Sequence, residues 1–94
     1  MEFEWDKAKA AANFKKHKVT FDEASTVFSD PLARIFDDAE HSAKERREII
    51  VGHSILGRLL PVCFTEREAD VIRIFSAREA TRKERQDYEE NASY

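Results

Sequence analysis

The chain has little cysteine, glycine or proline, and it lacks any long hydrophobic run. Because Cys63 is the single cysteine, no internal disulfide can form, which suits a reducing compartment. No segment is apolar over the length that a membrane span requires, and the acidic, aromatic residues 1–6 do not resemble a signal peptide. We therefore expect a cytoplasmic protein with no membrane partner.

An excess of positive charge is also missing. Sixteen Lys and Arg stand against 19 Asp and Glu, for a formal net charge of −3. A general nucleic-acid coat usually needs a basic domain, so any contact with nucleic acid must come from a few locally placed side chains. No His, Cys or carboxylate spacing indicates a zinc site, and we expect neither a metal nor a cofactor.

The 94 residues are enough for one domain with a modest core. Asp6 can cap a first helix that runs to about His17, and Thr20 with Glu23 has the spacing of a capping box at the start of a second helix. A second capping box, Thr81 with Glu84, opens a terminal helix. Apolar runs predict strands near residues 3–5, 32–36, 46–54, 58–65 and 71–77.

The resulting order, β-α-α-β-β-β-β-α, predicts an α+β fold with a twisted, mainly antiparallel sheet. We expect two N-terminal helices packed on one face and the C-terminal helix near the active surface. Strict alternation in the last strand would place Arg78 on the same face as Ile72, Ile74 and Ser76, with Arg73 on the opposite face. Pro61 suggests an edge or bulge position at that point of its strand.

The most informative segment is residues 65–85, which carries five arginines at the predicted ends of strands and at a helix start. The guanidinium group keeps its charge and matches phosphate geometry, so arginines near a helix N-terminus indicate a site that handles phosphate. Ion pairs are the competing interpretation. Arg67 can pair with Glu66 or Glu68, and Arg78 can pair with a carboxylate of the terminal helix.

Short pieces spread over residues 3–89 together resemble the BrnT toxins of bacterial type II toxin–antitoxin systems. The matching pieces are Phe3-Glu4-Trp5-Asp6, Asn13, Lys16-His17, residues 19–24, Val27-Phe28, Asp30-Pro31, Asp38, His41-Ser42, Glu45-Arg46-Arg47, Gly57-Arg58, Thr65-Glu66-Arg67, Ile72-Arg73-Ile74, Ser76-Ala77-Arg78, Glu84-Arg85 and Tyr88-Glu89. Each piece alone is weak evidence for the family, but the order and close spacing of the pieces together are specific to it.

The resemblance implies a single toxin domain over residues 1–94 with a fold like the RelE-type ribonucleases. It further implies an endoribonuclease that blocks translation and is neutralised by a BrnA-like antitoxin. The complex would repress its own operon, with operator DNA contacted only through the antitoxin. A toxin–antitoxin heterotetramer or a toxin homodimer would fit, and the sequence does not decide between them.

A ribonuclease without a metal must activate the ribose 2′-hydroxyl, stabilise the charged transition state and protonate the leaving oxygen. Under that resemblance, Arg67 and Arg78 are the first candidates for stabilising the phosphate, and Glu66 is the candidate base. Arg82, near the start of the last helix, could reach a phosphate or be a solvated charge. Tyr88 could donate a hydrogen bond, stack on a base, or simply fix its helix to the sheet.

The three histidines are further candidates for proton transfer by residue type. We predict instead a helix cap for His17, a turn residue for His41 and no assigned role for His53. Arg73 fits a structural or antitoxin-binding role. The alternative function is a non-catalytic module that binds a protein partner through its sheet edge and arginines.

Overall fold

Five strands form one sheet in this computed structural model, which describes residues 1–41 and 45–91, with the backbone alone for His41. The elements are β1 (Glu2–Glu4), α1 (Lys7–His17), α2 (Phe21–Thr26), β2 (Arg34–Asp37), β3 (Glu48–His53), β4 (Leu59–Arg67), β5 (Val71–Ala77) and α3 (Arg82–Asn91). The sheet order is β1-β5-β4-β3-β2, and every neighbouring pair is antiparallel except β1 with β5.

This arrangement confirms the predicted α+β class, the order of elements and the mainly antiparallel sheet. The RelE-like assignment stays a prediction. Residues 42–44, which lie between the predicted strands at 32–36 and 46–54, are outside the described residues, as are Ala92, Ser93 and Tyr94. In the part of the chain that the structure describes, no helix combines the length and apolar character that crossing a membrane requires.

The two N-terminal helices begin at the predicted caps. The Asp6 carboxylate accepts hydrogen bonds from the N–H groups of Ala8 and Lys9 at 2.8 and 3.1 Å, and the Thr20 hydroxyl accepts the Glu23 N–H at 3.0 Å. These bonds satisfy donors that a helix N-terminus would otherwise leave exposed. Glu23 does not complete the predicted capping box, because its carboxylate bonds Ser54 and Arg58 instead.

The core lies between the two helices and one face of the sheet. Burying these apolar side chains supplies the main driving force for folding. Its members are Val19, Phe21, Ala24, Val27, Ile50, Leu60, Val62, Phe64, Ile72, Ile74 and Ala77. The other face of the sheet, which we call the open face, carries the alternate residues of the same strands.

The predicted edge position or bulge at Pro61 is wrong, because β4 is the central strand and Pro61 pairs in register with Val51 of β3. The carbonyl of Pro61 accepts the N–H of Arg78 at 3.4 Å, just beyond the end of β5. Since the N–H and C=O of an antiparallel residue point to the same neighbour, the missing proline N–H faces the place where β5 has ended. Pro61 therefore removes no backbone hydrogen bond between β4 and the residues of β5.

A bulge lies instead in β5, and because of it Arg73 and Arg78 do not lie on the opposite faces that were predicted. Ile74 pairs with Phe64 and Ser76 pairs with Cys63, so Phe75 is an extra residue between the two pairs. One inserted residue reverses the alternation beyond it. Ser76 and Arg78 therefore lie on the open face rather than with Ile72 and Ile74, and Arg73 shares that face.

Candidate active site

A groove of about 550 Å³ runs across the open face, between the end of α1 and the loop after β2. Its floor is formed by strand residues of the open face, namely Ile49, Pro61, Cys63, Phe75 and Ser76. The bulge contributes directly to this floor, because it turns Phe75 and Ser76 toward the same side. The groove therefore depends on the pairing of β3, β4 and β5 and not on any single segment.

Basic side chains from three separate segments line the groove. Lys9, Lys16 and His17 share one face of α1, because they are seven and eight residues apart, about two helical turns. Arg47 precedes β3 and Arg78 follows β5. The chain thus concentrates positive charge here although its net charge is −3. This is the kind of local placement that the acidic composition requires of any nucleic-acid contact.

Two acidic residues, Asp38 and Glu40, line the same groove from the loop after β2. Asp38 is buried, and its carboxylate lies 3.5 Å from the Cys63 sulfur, within reach of a weak S–H donor. Burial, and next the contact with Asp38, raise the pKa of Cys63 to about 11. Cys63 is therefore a neutral thiol near neutral pH, which argues against a nucleophilic role.

Arg78 is the predicted site residue that lies in the groove. Its guanidinium makes two hydrogen bonds to the Glu84 carboxylate, at 2.7 and 2.9 Å, which is the helix ion pair foreseen as the competing interpretation. Glu84 also accepts the N–H of Thr81 at 2.8 Å and completes the predicted capping box of α3. The bonds to Arg78, and then the bond from Thr81, lower the pKa of Glu84 to about 2 despite its partial burial.

Glu66 and Arg67 lie at the far end of the β4–β5 hairpin. Arg67 pairs with Val71 at the start of β5, while Arg78 follows its end, so the two arginines are separated by roughly 20 Å along the strand. Arg67 contacts Glu4 at 3.3 Å and Glu45 at 3.9 Å, rather than the predicted Glu66 or Glu68. The structure does not bring this pair together with Arg78.

The remaining two predicted residues lie on α3. Arg82 is exposed at the first position of the helix and does not line the groove. Tyr88 is buried, its hydroxyl donates to the carbonyl of Leu32 at 3.1 Å, and its ring packs edge-on against His53. Tyr88 therefore fixes α3 to the turn before β2, which is the structural role considered from the sequence.

Sequence reasoning missed most of the groove. Lys9, Arg47, Phe75 and Asp38 come from segments that are distant along the chain, and no local motif joins them. A partial signal was available in Arg47, which stands immediately before an apolar strand, and in the shared helical face of Lys16 and His17. The inward turn of Phe75 could not be predicted, because it depends on the bulge.

Comparisons with known proteins agree with the fold. A family described as "Ribonuclease toxin, BrnT, of type II toxin-antitoxin system" matches residues 5–84. The chain is also similar to a 1.1 Å crystal structure of the Brucella abortus ribonuclease toxin BrnT, with a TM-score of 0.67 and 23% sequence identity. That similarity covers 87% of this chain and 99% of the Brucella chain. No protein in a search of curated sequences matches.

Proposed function

This chain belongs to the BrnT family of ribonuclease toxins of type II toxin–antitoxin systems, and on that premise we propose that it is an endoribonuclease whose active site is the basic groove of the open face. The observation that carries the proposal is the convergence of Lys9, Lys16, Arg47 and Arg78 on one groove of an otherwise acidic protein. A polyanion is the ligand that such a groove attracts.

The proposed reaction is an internal transesterification of RNA. The ribose 2′-oxygen attacks the adjacent phosphorus, the bond to the 5′-oxygen of the next nucleotide breaks, and a 2′,3′-cyclic phosphate forms. A base takes the proton of the 2′-hydroxyl, and an acid donates a proton to the departing 5′-oxygen. Negative charge grows on the non-bridging oxygens between these events, and a fixed cation there lowers the barrier.

Within this groove, Arg78 is the residue that fits the charge-stabilising role. Its guanidinium already holds a carboxylate through two parallel bonds, and a phosphate presents the same pair of oxygens. His17 is the groove residue that fits proton transfer, because one imidazole ring can both accept and donate a proton. With cations and an acid–base group available from the chain, we expect cleavage to proceed without a metal.

The earlier candidates Glu66, Arg67, Arg82 and Tyr88 receive lesser roles in this proposal. Arg67 lies where a long RNA could continue along the open face, about 20 Å from Arg78, whereas Glu66 pairs with Ile72 and so lies on the opposite face of the sheet. Arg82 lies close in sequence to Glu84 and could contact flanking phosphates. Tyr88 anchors α3, which carries Glu84, and so contributes to the position of Arg78.

Membership of the family implies an antitoxin partner and an RNA target. We propose that RNA cleavage inhibits translation and that a BrnA-like antitoxin blocks it while its complex with the toxin represses the operon. The outer edge of β2 supports a place for that partner, because among the described residues β2 pairs only with β3, and it exposes 55% of Ile35 and 51% of Phe36. An added strand would satisfy that edge.

The test compares two variants that break the same ion pair. Purified protein is mixed with a defined single-stranded RNA in EDTA, and cleavage by the wild type is compared with Arg78→Gln and Glu84→Gln. Both variants remove the Arg78–Glu84 pair, but only the first removes the cation. We expect Arg78→Gln to lose at least about 100-fold in kcat/KM, as for loss of one charge-stabilising group. Glu84→Gln keeps the cation and only loosens its position, so it should lose much less.

Equal losses in the two variants would mean that the ion pair acts by holding α3 and that Arg78 is not catalytic. Arg67→Gln serves as a comparison at the far end of the open face and should lose much less than Arg78→Gln. No cleavage by the wild type, on free RNA or on translating ribosomes, would instead favour the non-catalytic binding module.

A further inference from the structure

Arg47 and Phe75 form a stack in the groove that the proposed charge and proton-transfer roles do not use. The Arg47 guanidinium carbon lies 3.9 Å from the centroid of the Phe75 ring, and the Lys9 ammonium lies 5.6 Å from the same centroid. Both cations lie within the distance over which an aromatic ring attracts positive charge. The groove thus contains a flat cationic surface in addition to point charges.

Two features of the fold hold this stack in place. The bulge in β5 directs Phe75 into the groove floor, and Arg47 is positioned by the start of β3, with Glu45 3.9 Å from its guanidinium. The Arg47 side chain is 27% exposed, so it retains a surface that faces solvent. A long arginine side chain stacked on a ring loses less freedom on binding than an unrestrained one.

A flat, charged surface has a definite preference among anionic ligands. A lone phosphate needs only point charges, whereas a nucleobase gains by stacking on an aromatic ring or a guanidinium plane. Lys9 lies beside the ring and Arg78 lines the same groove, so anions bound next to a stacked base would meet positive charge. One groove therefore offers a flat surface for a base and positive charges for the adjacent phosphates.

From this geometry we infer that the Arg47–Phe75 stack is a base-binding subsite, which receives one unpaired nucleobase of the RNA next to the phosphate held by Arg78. The inference rests on the proposed function and adds to it the recognition of single-stranded substrate. A base within a duplex is already stacked on its neighbours and cannot reach this surface. Arg47 makes the contact, and Phe75 is a positioning residue that keeps the guanidinium flat.

The test uses two conservative variants and a matched control. Phe75→Leu keeps an apolar side chain and removes the ring, while Arg47→Lys keeps the charge and removes the plane. Arg46→Lys changes the neighbouring arginine, whose side chain is 75% exposed and pairs with Asp37 outside the groove. Thermal unfolding confirms that each variant is folded before use; if Phe75→Leu does not fold, Arg47→Lys alone decides.

Two readouts separate the inference from the proposed function. The first is steady-state cleavage of single-stranded RNA, for which we expect KM to rise about tenfold in both variants, within the range found for loss of one base-stacking contact, while kcat changes less than about twofold. The second is binding of a 2′-deoxy oligonucleotide carrying the fluorescent base 2-aminopurine. This ligand lacks the attacking hydroxyl, and stacking quenches its fluorescence.

We expect quenching by the wild type and by Arg46→Lys, and little quenching by either stack variant. Unchanged KM and unchanged quenching in both variants would overturn the subsite, even if the wild type cleaves RNA normally. If the wild type cleaves no RNA but quenches the probe, and Arg47→Lys does not, the subsite stands while the proposed function fails. An absence of quenching by the wild type overturns the inference whatever the cleavage result.

Discussion

At the scale of single residues, Asn13 shows how one polar side chain can join two distant segments. It is buried, its amide group donates to the carbonyls of Val19 and Ala77 at 3.1 and 2.8 Å, and its oxygen accepts the Ala77 N–H at 3.1 Å. Asn13 thus pairs with the end of β5 as a neighbouring strand would. The same contact fixes α1, which carries Lys9, Lys16 and His17, beside the groove.

We predict that Asn13→Ala lowers the free energy of unfolding by about 3 kcal/mol, because three buried backbone groups lose their partner. Urea denaturation followed by circular dichroism measures the change. The matched control is Asn91→Ala, which removes one exposed side-chain bond to the carbonyl of Asp87 and should change stability by less than about 0.5 kcal/mol. Similar losses in the two variants would contradict this account of Asn13.

At the scale of elements, α3 depends on a small set of side-chain contacts because its sequence is polar on nearly all sides. Tyr88 attaches the middle of the helix to Leu32, and Glu84 attaches its first turn to Thr81 and Arg78. The helix therefore owes its position more to these contacts than to an apolar stripe. Because Glu84 holds Arg78, the attachment of α3 also sets the geometry of the proposed site.

The Glu84 attachment should depend on pH. Its pKa in the folded protein is lowered from an ordinary value of 4.5 to about 2, so the ionised form is favoured by folding. The stabilisation is therefore fully present above pH 4.5 and is lost as the pH falls through about 2. We predict that the stability difference between wild type and Glu84→Gln is constant from about pH 6 to 8 and shrinks as the pH falls below about 4.5. Chemical denaturation at each pH measures it, and a difference that grows toward low pH would contradict the assignment.

At the scale of the whole molecule, the distribution of charge matters more than its sum. The protein is acidic overall, yet among the described residues four Lys and Arg side chains line one groove together with two carboxylates. Binding of a single-stranded nucleic acid releases about 0.7 counterions for each phosphate that is neutralised. The net negative charge thus repels an approaching RNA, whereas the groove attracts it. Because salt screens distant charges, the attraction by the groove is the larger effect at close range.

We predict that log KM for single-stranded RNA rises linearly with log salt concentration with a slope of about 2, as expected for phosphate contacts from Lys9, Lys16 and Arg78. Lys16→Ala should reduce this slope by about 0.7. Lys15→Ala removes an adjacent, exposed charge that does not line the groove, and it should leave the slope unchanged. Equal reductions in both variants would indicate that general surface charge, and not the groove, attracts the RNA.

Some features of this protein follow from the sequence alone because they depend on local interactions. The sequence predicted the helix caps at Asp6 and Thr20 and the full capping box of Thr81 and Glu84. It also predicted the order of helices and strands along the chain. Each of these features depends on residues within a few positions of one another. The resemblance to BrnT toxins was also visible in the sequence, because many short pieces kept their order. Arg78, which lines the groove, was also singled out from the sequence as an arginine at the end of a strand, and its catalytic role stays a prediction.

Only the tertiary structure decided which residues meet. The bulge at Phe75 reversed the predicted face of Arg78, and strand pairing placed Pro61 in the centre of the sheet. Pairing of β3, β4 and β5 brought Arg47 onto Phe75, and Asn13 set α1 beside them. These contacts join residues far apart along the chain, and alternation in a strand fails at one inserted residue. A periodic pattern therefore predicts the elements of this protein, whereas its groove depends on how those elements are paired.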